Sequence, residues 1–261
     1  MRIVVKIGTS TLAHPTGLLN VRHVESLVKV LSDLKNAGNE VVLVSSGAIG
    51  MGVGKLMLPG RPADMPTKQA AAAVGQCELM YTYDKLFAEY NHTVAQVLLT
   101  GEDINNDVRR RNMRNTIVRL LELKALPIIN ENDAVVTDEI GVENTIGEND
   151  TLSAIVAKLV GADLLVLLSD IDGLYTADPH KDENAKLIPV VECITPEIEA
   201  LAGGKGSSLG TGGMATKLKA AKLVNESGCD MMIINGDDPT KLYDILEGKA
   251  VGTRFLGKKG F

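Results

Sequence analysis

Residues 2–8 read RIVVKIG, a short apolar run that ends at a glycine. From Val21 the apolar residues recur at helical spacing as far as Gly38, and the run VVLV at 41–44 then repeats the strand pattern. Runs that do not alternate with polar residues are typical of strands buried on both faces. The order strand, helix, strand therefore predicts an α/β protein with a parallel sheet between layers of helices.

The same alternation runs through the rest of the chain. Further strands are predicted at VAQVLL (94–99), LPII (126–129), LLVLL (164–168) and MMII (231–234), with helices over about 151–160 and 214–225. The predicted fold class is α/β, a three-layer αβα sandwich with a mainly parallel central sheet. No linker interrupts the pattern, so residues 1–261 are interpreted as one domain with two lobes, about 1–160 and 161–261. Residues 135–147 are predicted to leave the sheet as a hairpin, and residues 203–213 to form a glycine-rich surface loop.

Composition and charge exclude several classes of function. The chain has 27 Lys and Arg against 33 Asp and Glu, and its net charge of −6 opposes a general affinity for nucleic acid or acidic membranes. Aromatic residues make up 3% and Trp is absent, so base-stacking surfaces are not expected. The apolar runs fall far short of the ~20 residues that span a bilayer. Cys77, Cys193 and Cys229 form no C-x-x-C pair, so we interpret them as reduced, mostly buried thiols of a cytoplasmic protein.

Three glycine-rich loops lie beside predicted strands or helices: KIGTS (6–10), SSGAIGMGVG (45–54) and LGTGGMATK (209–217). In open α/β sheets, ligands bind beyond the carboxyl ends of the strands, where glycine lets backbone N–H groups approach a phosphate. Three such loops together predict a nucleotide site rather than ordinary tight turns. The chain lacks both G-x-x-x-x-G-K-[ST] and an ordered G-x-G-x-x-G, which disfavours a P-loop enzyme and a dinucleotide dehydrogenase. GSSLG at 206–210 matches a hydrolase elbow by chance, because no strand precedes it.

Two lysines stand where a phosphate would neutralise them. Lys6 lies at the end of a predicted buried strand, where a cation is costly without an anionic partner. Lys217 lies about one turn into the helix that follows the third glycine loop, so its ammonium group can fold back toward a phosphate at that helix N-terminus. Both positions therefore predict cations that neutralise a bound phosphate, and for Lys217 the alternative is an ordinary solvated helix lysine.

Two Asn-Asp pairs, Asn132-Asp133 and Asn149-Asp150, lie at the mouth of a predicted strand or helix. Helix capping explains one of these residues but not both pairs. Carboxylates bind an ammonium group and amides bind a carboxylate, so the pairs predict a zwitterionic ligand such as an amino acid. The four histidines lie outside these clusters and are interpreted as surface or loop residues. Phosphoryl transfer to a carboxylate needs no general base, because the nucleophile is already ionised near pH 7.

The chain resembles the amino acid kinase family over essentially its whole length. The motifs that carry the resemblance are VVKIGTS (4–10), VSSGAI (44–49), INENDAV (129–135), GENDTLSA (147–154), GLYTADP (173–179) and LGTGGMATK (209–217). Within the family, they are similar to the members that phosphorylate glutamate. The resemblance implies ATP-dependent phosphorylation of the L-glutamate side-chain carboxylate, giving L-glutamyl 5-phosphate, the first step of proline biosynthesis. It further implies Mg²⁺ with ATP but no direct protein ligand to the metal, feedback inhibition by L-proline and a homo-oligomer. Many bacterial members carry a C-terminal PUA domain like those of RNA-modification enzymes, and the resemblance implies the kinase core without it.

The same resemblance assigns roles by motif. Lys6 and Lys217 would neutralise the transferring phosphoryl group, with Asp150 orienting both lysines. Glutamate would be bound by Ser46, Asn130, Asp133 and Asn149. ATP would be bound by Lys6, Gly8, Thr9, Gly47, Ser169, Asp170, Thr211, Gly212, Gly213, Met214, Ala215, Thr216 and Lys217.

Three alternatives remain open at this point. The first is another amino acid kinase, acting on UMP, aspartate, N-acetylglutamate or carbamate. The second is a non-catalytic sensor that binds ATP or an amino acid, for which two buried lysines and Asp150 would be an unnecessary cost. The third is nucleic-acid binding through the arginines between 109 and 119, which are more simply a solvated helix face or a subunit contact.

Overall fold

Eight strands share one sheet in the computed structural model of the protein, which describes residues 1–14, 16, 18–135, 149–179, 181–202 and 213–258. The strands are β1 (Arg2–Ile7), β2 (Glu40–Ser45), β3 (Val94–Leu99), β4 (Leu126–Glu131), β5 (Leu164–Ser169), β6 (Val190–Val191), β7 (Asp230–Asn235) and β8 (Thr253–Phe255). Their order across the sheet is β3-β4-β2-β1-β5-β7-β8-β6. Every pairing is parallel except that of β7 with β8. The predicted mainly parallel sheet is confirmed.

The helices of the described residues flank this sheet. They are α1 (Thr9–Leu12), α2 (Val21–Asn36), α3 (Ala48–Lys55), α4 (Met65–Ala88), α5 (Gly101–Asn105), α6 (Asp107–Glu122), α7 (Asn149–Val160), α8 (Pro196–Ala202), α9 (Met214–Asn225) and α10 (Lys241–Leu246). The longest, α4, begins where the Asp64 side chain accepts a hydrogen bond from the Thr67 backbone N–H at 2.9 Å. In the described part of the chain, no helix is long and apolar enough to cross a membrane.

Alternate residues of the buried strands pack into two separate cores. Val4 belongs to a core built with apolar side chains of α6, α7 and α9, whereas Ile3 and Val5 belong to a second core built with α2, α4 and α10. Successive side chains of a strand point to opposite faces of the sheet, so the two cores lie on its two faces. The predicted three-layer sandwich is therefore confirmed. The same alternation places Lys6 on the face of Val4, toward α7 and α9.

Helices α3 and α4 touch backbone to backbone. A Cβ atom added to Gly52 would lie 1.8 Å from the Ala71 carbonyl oxygen, and one added to Gly75 would lie 1.8 Å from that of Ala48. No side chain fits at either position, so glycine is required for this crossing. The contact holds the middle of α4 against the segment that leaves β2.

Two predictions need correction, those for the cysteines and for His23, and two others fall on residues that the structure does not describe. Cys77 and Cys193 are exposed and only Cys229 is buried, so the prediction of mostly buried thiols was wrong for two of the three. His23 is buried, at 8% exposure, because α2 carries it on the side that packs toward the core. Residues 136–147 of the predicted hairpin and residues 203–212 of the predicted loop lie outside the described residues.

Candidate active site

The carboxyl ends of the central strands meet at one edge of the sheet. Ile7 of β1 is in register with Ser45 of β2 and with Leu168 of β5, and Ser169 is in register with Asn235 of β7. The segments that follow these strands therefore leave from the same edge. Most of the residues predicted for the site lie at this edge or on the helices that begin beside it.

Two lysines share one buried carboxylate there. The Lys6 Nζ lies 2.7 Å from the Asp150 Oδ1, and the Lys217 Nζ lies 3.1 Å from the Asp150 Oδ2. The three side chains come from β1, α7 and α9 and are 12%, 3% and 7% exposed for Lys6, Asp150 and Lys217. Asp150 lies in the first turn of α7, where the helix dipole favours a negative charge. This lysine-aspartate triad carries a net charge of +1.

The two lysines of the triad favour the ionised form of the Asp150 carboxyl group. Burial by itself would raise the pKa of the Asp150 carboxyl, but the ammonium groups of Lys6 and Lys217 outweigh it and hold the pKa below its ordinary value. The Thr216 hydroxyl also donates to the Asp150 Oδ2, at 3.3 Å. Asp150 is therefore an anion that fixes two cations, and it is poorly suited to act as a base.

Glycines begin the three helices that follow the glycine-rich loops. Gly8, Gly47 and Gly213 are the N-cap residues of α1, α3 and α9, and no side chain of the described residues caps these N-termini. Gly47 has φ of 98°, a left-handed conformation that glycine adopts at little cost. A Cβ atom added to Gly8 would lie 3.6 Å from the Lys6 Nζ, so the ammonium group lies against this loop. The arrangement suits phosphate oxygens.

The remaining residues predicted to bind ATP are only partly described. Ser169 ends β5, its hydroxyl donates to the Asp170 Oδ1 at 3.0 Å, and its carbonyl oxygen accepts from the Gly236 N–H at 2.7 Å. Met214, Ala215 and Thr216 form the first turn of α9. Thr211 and Gly212 lie outside the described residues.

An amide network at the same edge connects α7 with β4 and α4. The Asn149 Nδ2 donates to the Ser46 hydroxyl oxygen and, at 3.3 Å, to the Asn130 Oδ1. The Asn130 Nδ2 donates in turn to the Gln76 Oε1 at 2.9 Å. Asn130 and Gln76 are buried, at 2% and 8% exposure. The network therefore joins three of the four residues predicted to bind glutamate to a fourth partner, on α4.

A cleft of about 350 Å³ opens beside this network, and its lining includes Gln76, Glu131 and Asp133. Asp133 is half-buried. Burial raises the pKa of its carboxyl above the ordinary value, and the guanidinium of Arg61 only partly offsets this effect. A ligand ammonium group beside Asp133 would supply the cation that this carboxylate lacks.

Two residues of this region were missed by the sequence analysis. Gln76 joins the amide network, and the Tyr83 hydroxyl lies 3.0 Å from the Ser45 Oγ. Both lie on the buried stripe of α4, together with Ala72 and Leu79. The sequence gives no distinct signal for Gln76, because α4 carries several other polar residues and the burial of this one is known only from the structure.

The chain is similar to known proteins over nearly its whole length. The model of the amino acid kinase family matches residues 1–235. The chain is 55% identical over 259 residues to the glutamate 5-kinase of Clostridium perfringens, covering 99% of this chain and 96% of that protein. It is 58% identical over 253 residues to the glutamate 5-kinase of Clostridium tetani, covering 97% and 93% of the two chains. For the glutamate 5-kinase of Listeria innocua, the identity is 53% and the coverage 99% and 94%.

Solved structures share the fold at low sequence identity. A carbamate kinase from Giardia lamblia bound to AMP-PNP matches with a TM-score of 0.68 and 20% identity, covering 98% of each chain. A UMP kinase from Bacillus anthracis matches with a TM-score of 0.66 and 17% identity, covering 100% of this chain and 97% of that one. At such identities the likeness shows the fold alone.

Proposed function

This chain belongs to the amino acid kinase family, and we propose that it transfers the γ-phosphoryl group of ATP to the side-chain carboxylate of L-glutamate. The observation that carries the proposal is the lysine-aspartate triad, which the amide network connects through Asn149 to a cleft lined by carboxylates and amides. Relatives at 53–58% identity that are named glutamate 5-kinase support glutamate as the acceptor. The product, L-glutamyl 5-phosphate, would enter proline biosynthesis.

The triad suits the transition state of this transfer. An oxygen of the acceptor carboxylate attacks the γ-phosphorus, the bond from that phosphorus to the β,γ-bridging oxygen breaks, and ADP leaves with the electron pair. No proton has to be removed, because the acceptor carboxylate is ionised near neutral pH. Lys6 and Lys217 stabilise the negative charge on the transferring group, and Asp150 holds their ammonium groups in place. The reaction therefore depends on fixed positive charge rather than on a base.

The acceptor is proposed to lie in the cleft beside the amide network. The Asp133 carboxylate and the Asn149 Oδ1 are acceptors for its ammonium group, and the Ser46 hydroxyl is a donor for a carboxylate. Asn130 holds Asn149 in orientation. L-proline carries the same α-ammonium and α-carboxylate groups, and we propose that it inhibits by competing for this cleft.

ATP is proposed to lie across the glycine cradles. Gly8, Thr9 and Gly47 would hold phosphate oxygens, while Ser169, Asp170 and residues 211–217 would hold the rest of the nucleotide. Under this assignment, residues up to about 160 supply most of the acceptor site, and residues from about 161 supply most of the nucleotide site. A homo-oligomer is also expected, and the arginines of α6 offer a charged surface for subunit contact.

Mg²⁺ is expected to enter together with ATP. Both oxygens of Asp150 already contact ammonium groups, so phosphate oxygens and water are the natural ligands of the ion. No group of three metal-binding side chains is brought together within the described residues. When bound, the ion would neutralise part of the triphosphate charge alongside the two lysines.

The test is ADP release from Mg-ATP with a panel of acceptors: L-glutamate, L-aspartate, N-acetyl-L-glutamate, carbamate and UMP, each with and without L-proline. Hydroxylamine added to the assay converts an acyl phosphate to a hydroxamate, which separates transfer to a carboxylate from simple ATP hydrolysis. We expect turnover and hydroxamate with glutamate alone. Turnover with another acceptor would contradict the substrate, and ATP binding without turnover across the panel would favour a sensor.

A further inference from the structure

One backbone N–H group fixes which atoms of the amide network donate hydrogen bonds and which accept them. The Glu131 backbone N–H donates to the Asn130 Oδ1 at 2.9 Å. A backbone N–H can only donate, so the side-chain oxygen of Asn130 is fixed as the acceptor and its Nδ2 as the donor. The Asn130 Nδ2 then requires the Gln76 Oε1 as its acceptor, at 2.9 Å. The orientation of the Gln76 amide follows from this chain of bonds.

The other end of the Gln76 amide has no partner. Its Nε2 is buried and makes no hydrogen bond to any described residue. Gln76 as a whole is 8% exposed, and it lines the same cleft as Asp133. A buried donor without an acceptor is costly, and such groups in native proteins call for an explanation. A ligand oxygen in the cleft would be the missing acceptor.

The opposite end of the network offers the complementary group. The Asn149 Nδ2 donates to the Ser46 hydroxyl and to Asn130, which leaves the Asn149 Oδ1 buried without a partner among the described residues. Asn149 adjoins Asp150 of the triad, whereas Gln76 is reached from it only through Asn130. Gln76 therefore faces the end of the acceptor that lies away from the reacting carboxylate.

We propose that Gln76 determines acceptor specificity by donating its Nε2–H to the α-carboxylate of the amino acid, in an orientation set by the Glu131 backbone N–H through Asn130. The inference rests on the proposed function and extends it to a residue on α4. A carboxylate is the ligand chemistry that this donor fits, because it accepts without bringing a competing proton. A substrate that lacks an α-carboxylate would make no hydrogen bond to Gln76 and would bind no more tightly because of it.

The test compares L-glutamate with 4-aminobutyrate, which keeps the reacting carboxylate and the amine but lacks the α-carboxylate. Gln76→Glu keeps an acceptor for Asn130 and removes the donor toward the ligand, so we expect kcat/KM for glutamate to fall by about 10- to 100-fold, chiefly through KM. The value for 4-aminobutyrate should change little. Gln76→Met has a similar side-chain volume but can make neither hydrogen bond. It should also reduce the ratio of kcat/KM for glutamate to kcat/KM for 4-aminobutyrate.

Glu78→Gln serves as the matched control, because it makes the reverse exchange on the outer side of α4, where Glu78 pairs with Lys55. We expect it to leave the preference between the two acceptors unchanged. An equal loss for both acceptors in the Gln76 variants, or no loss for glutamate, would overturn the inference. Calorimetric binding of both acceptors is measured in parallel. Wild-type protein that binds glutamate without phosphorylating it contradicts the proposed function alone, and the loss of binding in the variants then decides the role of Gln76.

Discussion

Asp150 and Asp133 lie near the same edge of the sheet, yet their environments shift the two carboxyl pKa values in opposite directions. Asp150 is 3% exposed and contacts two ammonium groups, which hold its pKa below the ordinary value despite burial. Asp133 is half-buried beside the cleft, where burial raises its pKa and Arg61 offsets only part of the effect. Among the described residues, Asp150 forms ion pairs with two lysines, whereas Asp133 forms none.

The opposite pKa shifts distinguish two roles that a carboxylate can have in a binding site. A carboxylate that already holds its counter-ions organises groups needed in the transition state, and it gains nothing from the substrate. A carboxylate whose ionised form is disfavoured gains a partner when a cationic ligand binds. Four substitutions test this distinction.

The largest effect is expected from Asp150→Asn, which leaves two buried ammonium groups without their anion. We expect the free energy of unfolding to fall by about 3–5 kcal/mol, the usual cost of breaking a buried ion pair. Urea unfolding measures it, with Asp107→Asn as a control, because Asp107 is 86% exposed in its pair with Arg110. Because the pKa of Asp150 is lowered, its stabilising contribution is present above the ordinary carboxyl range and is lost as pH falls through the lowered pKa. An unfolding free energy that matches the control would contradict a coupled triad.

The next effect is a loss of rate in Lys217→Ala and in Lys6→Ala. Each variant removes a cation that we propose to act on the transferring phosphoryl group, so we expect kcat to fall by about 10²- to 10³-fold. The KM for glutamate should change far less, because the lysines contribute chiefly in the transition state. Lys219→Ala, an exposed position on the same helix, should retain wild-type kinetics. A loss that appears only in KM would assign these lysines to ground-state binding.

A smaller effect, confined to substrate binding, is expected from Asp133→Asn. Loss of one charge-assisted contact to the ammonium group should raise the KM for glutamate by about 10- to 100-fold. The KM for ATP should stay close to that of the wild type, which makes it the internal control. Steady-state kinetics with each substrate varied in turn measures both values. An unchanged KM for glutamate would remove Asp133 from the acceptor site.

The smallest effect has the opposite sign to that of Asp150→Asn. Removing the disfavoured charge of Asp133 should increase the free energy of unfolding by roughly 0.5–2 kcal/mol at neutral pH, the usual range for a single stabilising substitution. Since the pKa of Asp133 is raised in the folded protein, its destabilising effect is complete above that raised value and vanishes as pH falls below the unfolded value. The gain in Asp133→Asn should therefore disappear in acid. A loss of stability at neutral pH would show that Asp133 is satisfied within the protein.

Much of the architecture follows from local sequence pattern. The apolar runs that form β1, β2, β5 and β7 are buried on both faces, so their identification as parallel strands needed no tertiary information. The strands that were not predicted are the shortest, the two-residue β6 and the three-residue β8. Segments of two or three residues are too short to show a strand periodicity. Their pairing is also decided by neighbours that are distant in the chain. The antiparallel pairing of β8 with β7 was therefore not predicted either.

The site was predictable where chemistry is unusual for its position. Lys6 at the end of a buried run and the paired Asn and Asp residues violate the expectation for a core, and these violations marked them as candidates. Gln76 gave no such signal, because one glutamine among alanines of a helix is ordinary until the facing strand is known. Its partner Asn130 comes from a strand 54 residues later, so the connection exists only in three dimensions.

The contact between α3 and α4 has a mechanical consequence. At Gly52 and Gly75 the backbone lies directly against a carbonyl group of the facing helix, so no side chain separates the two helices at these two positions. The turn at Gly47 opens the first helix, and Gln76 lies on the second, directly after one of the contact glycines. We therefore expect a displacement of the turn at Gly47 to move Gln76 as well, so that the proposed phosphate site and the proposed acceptor cleft would shift together.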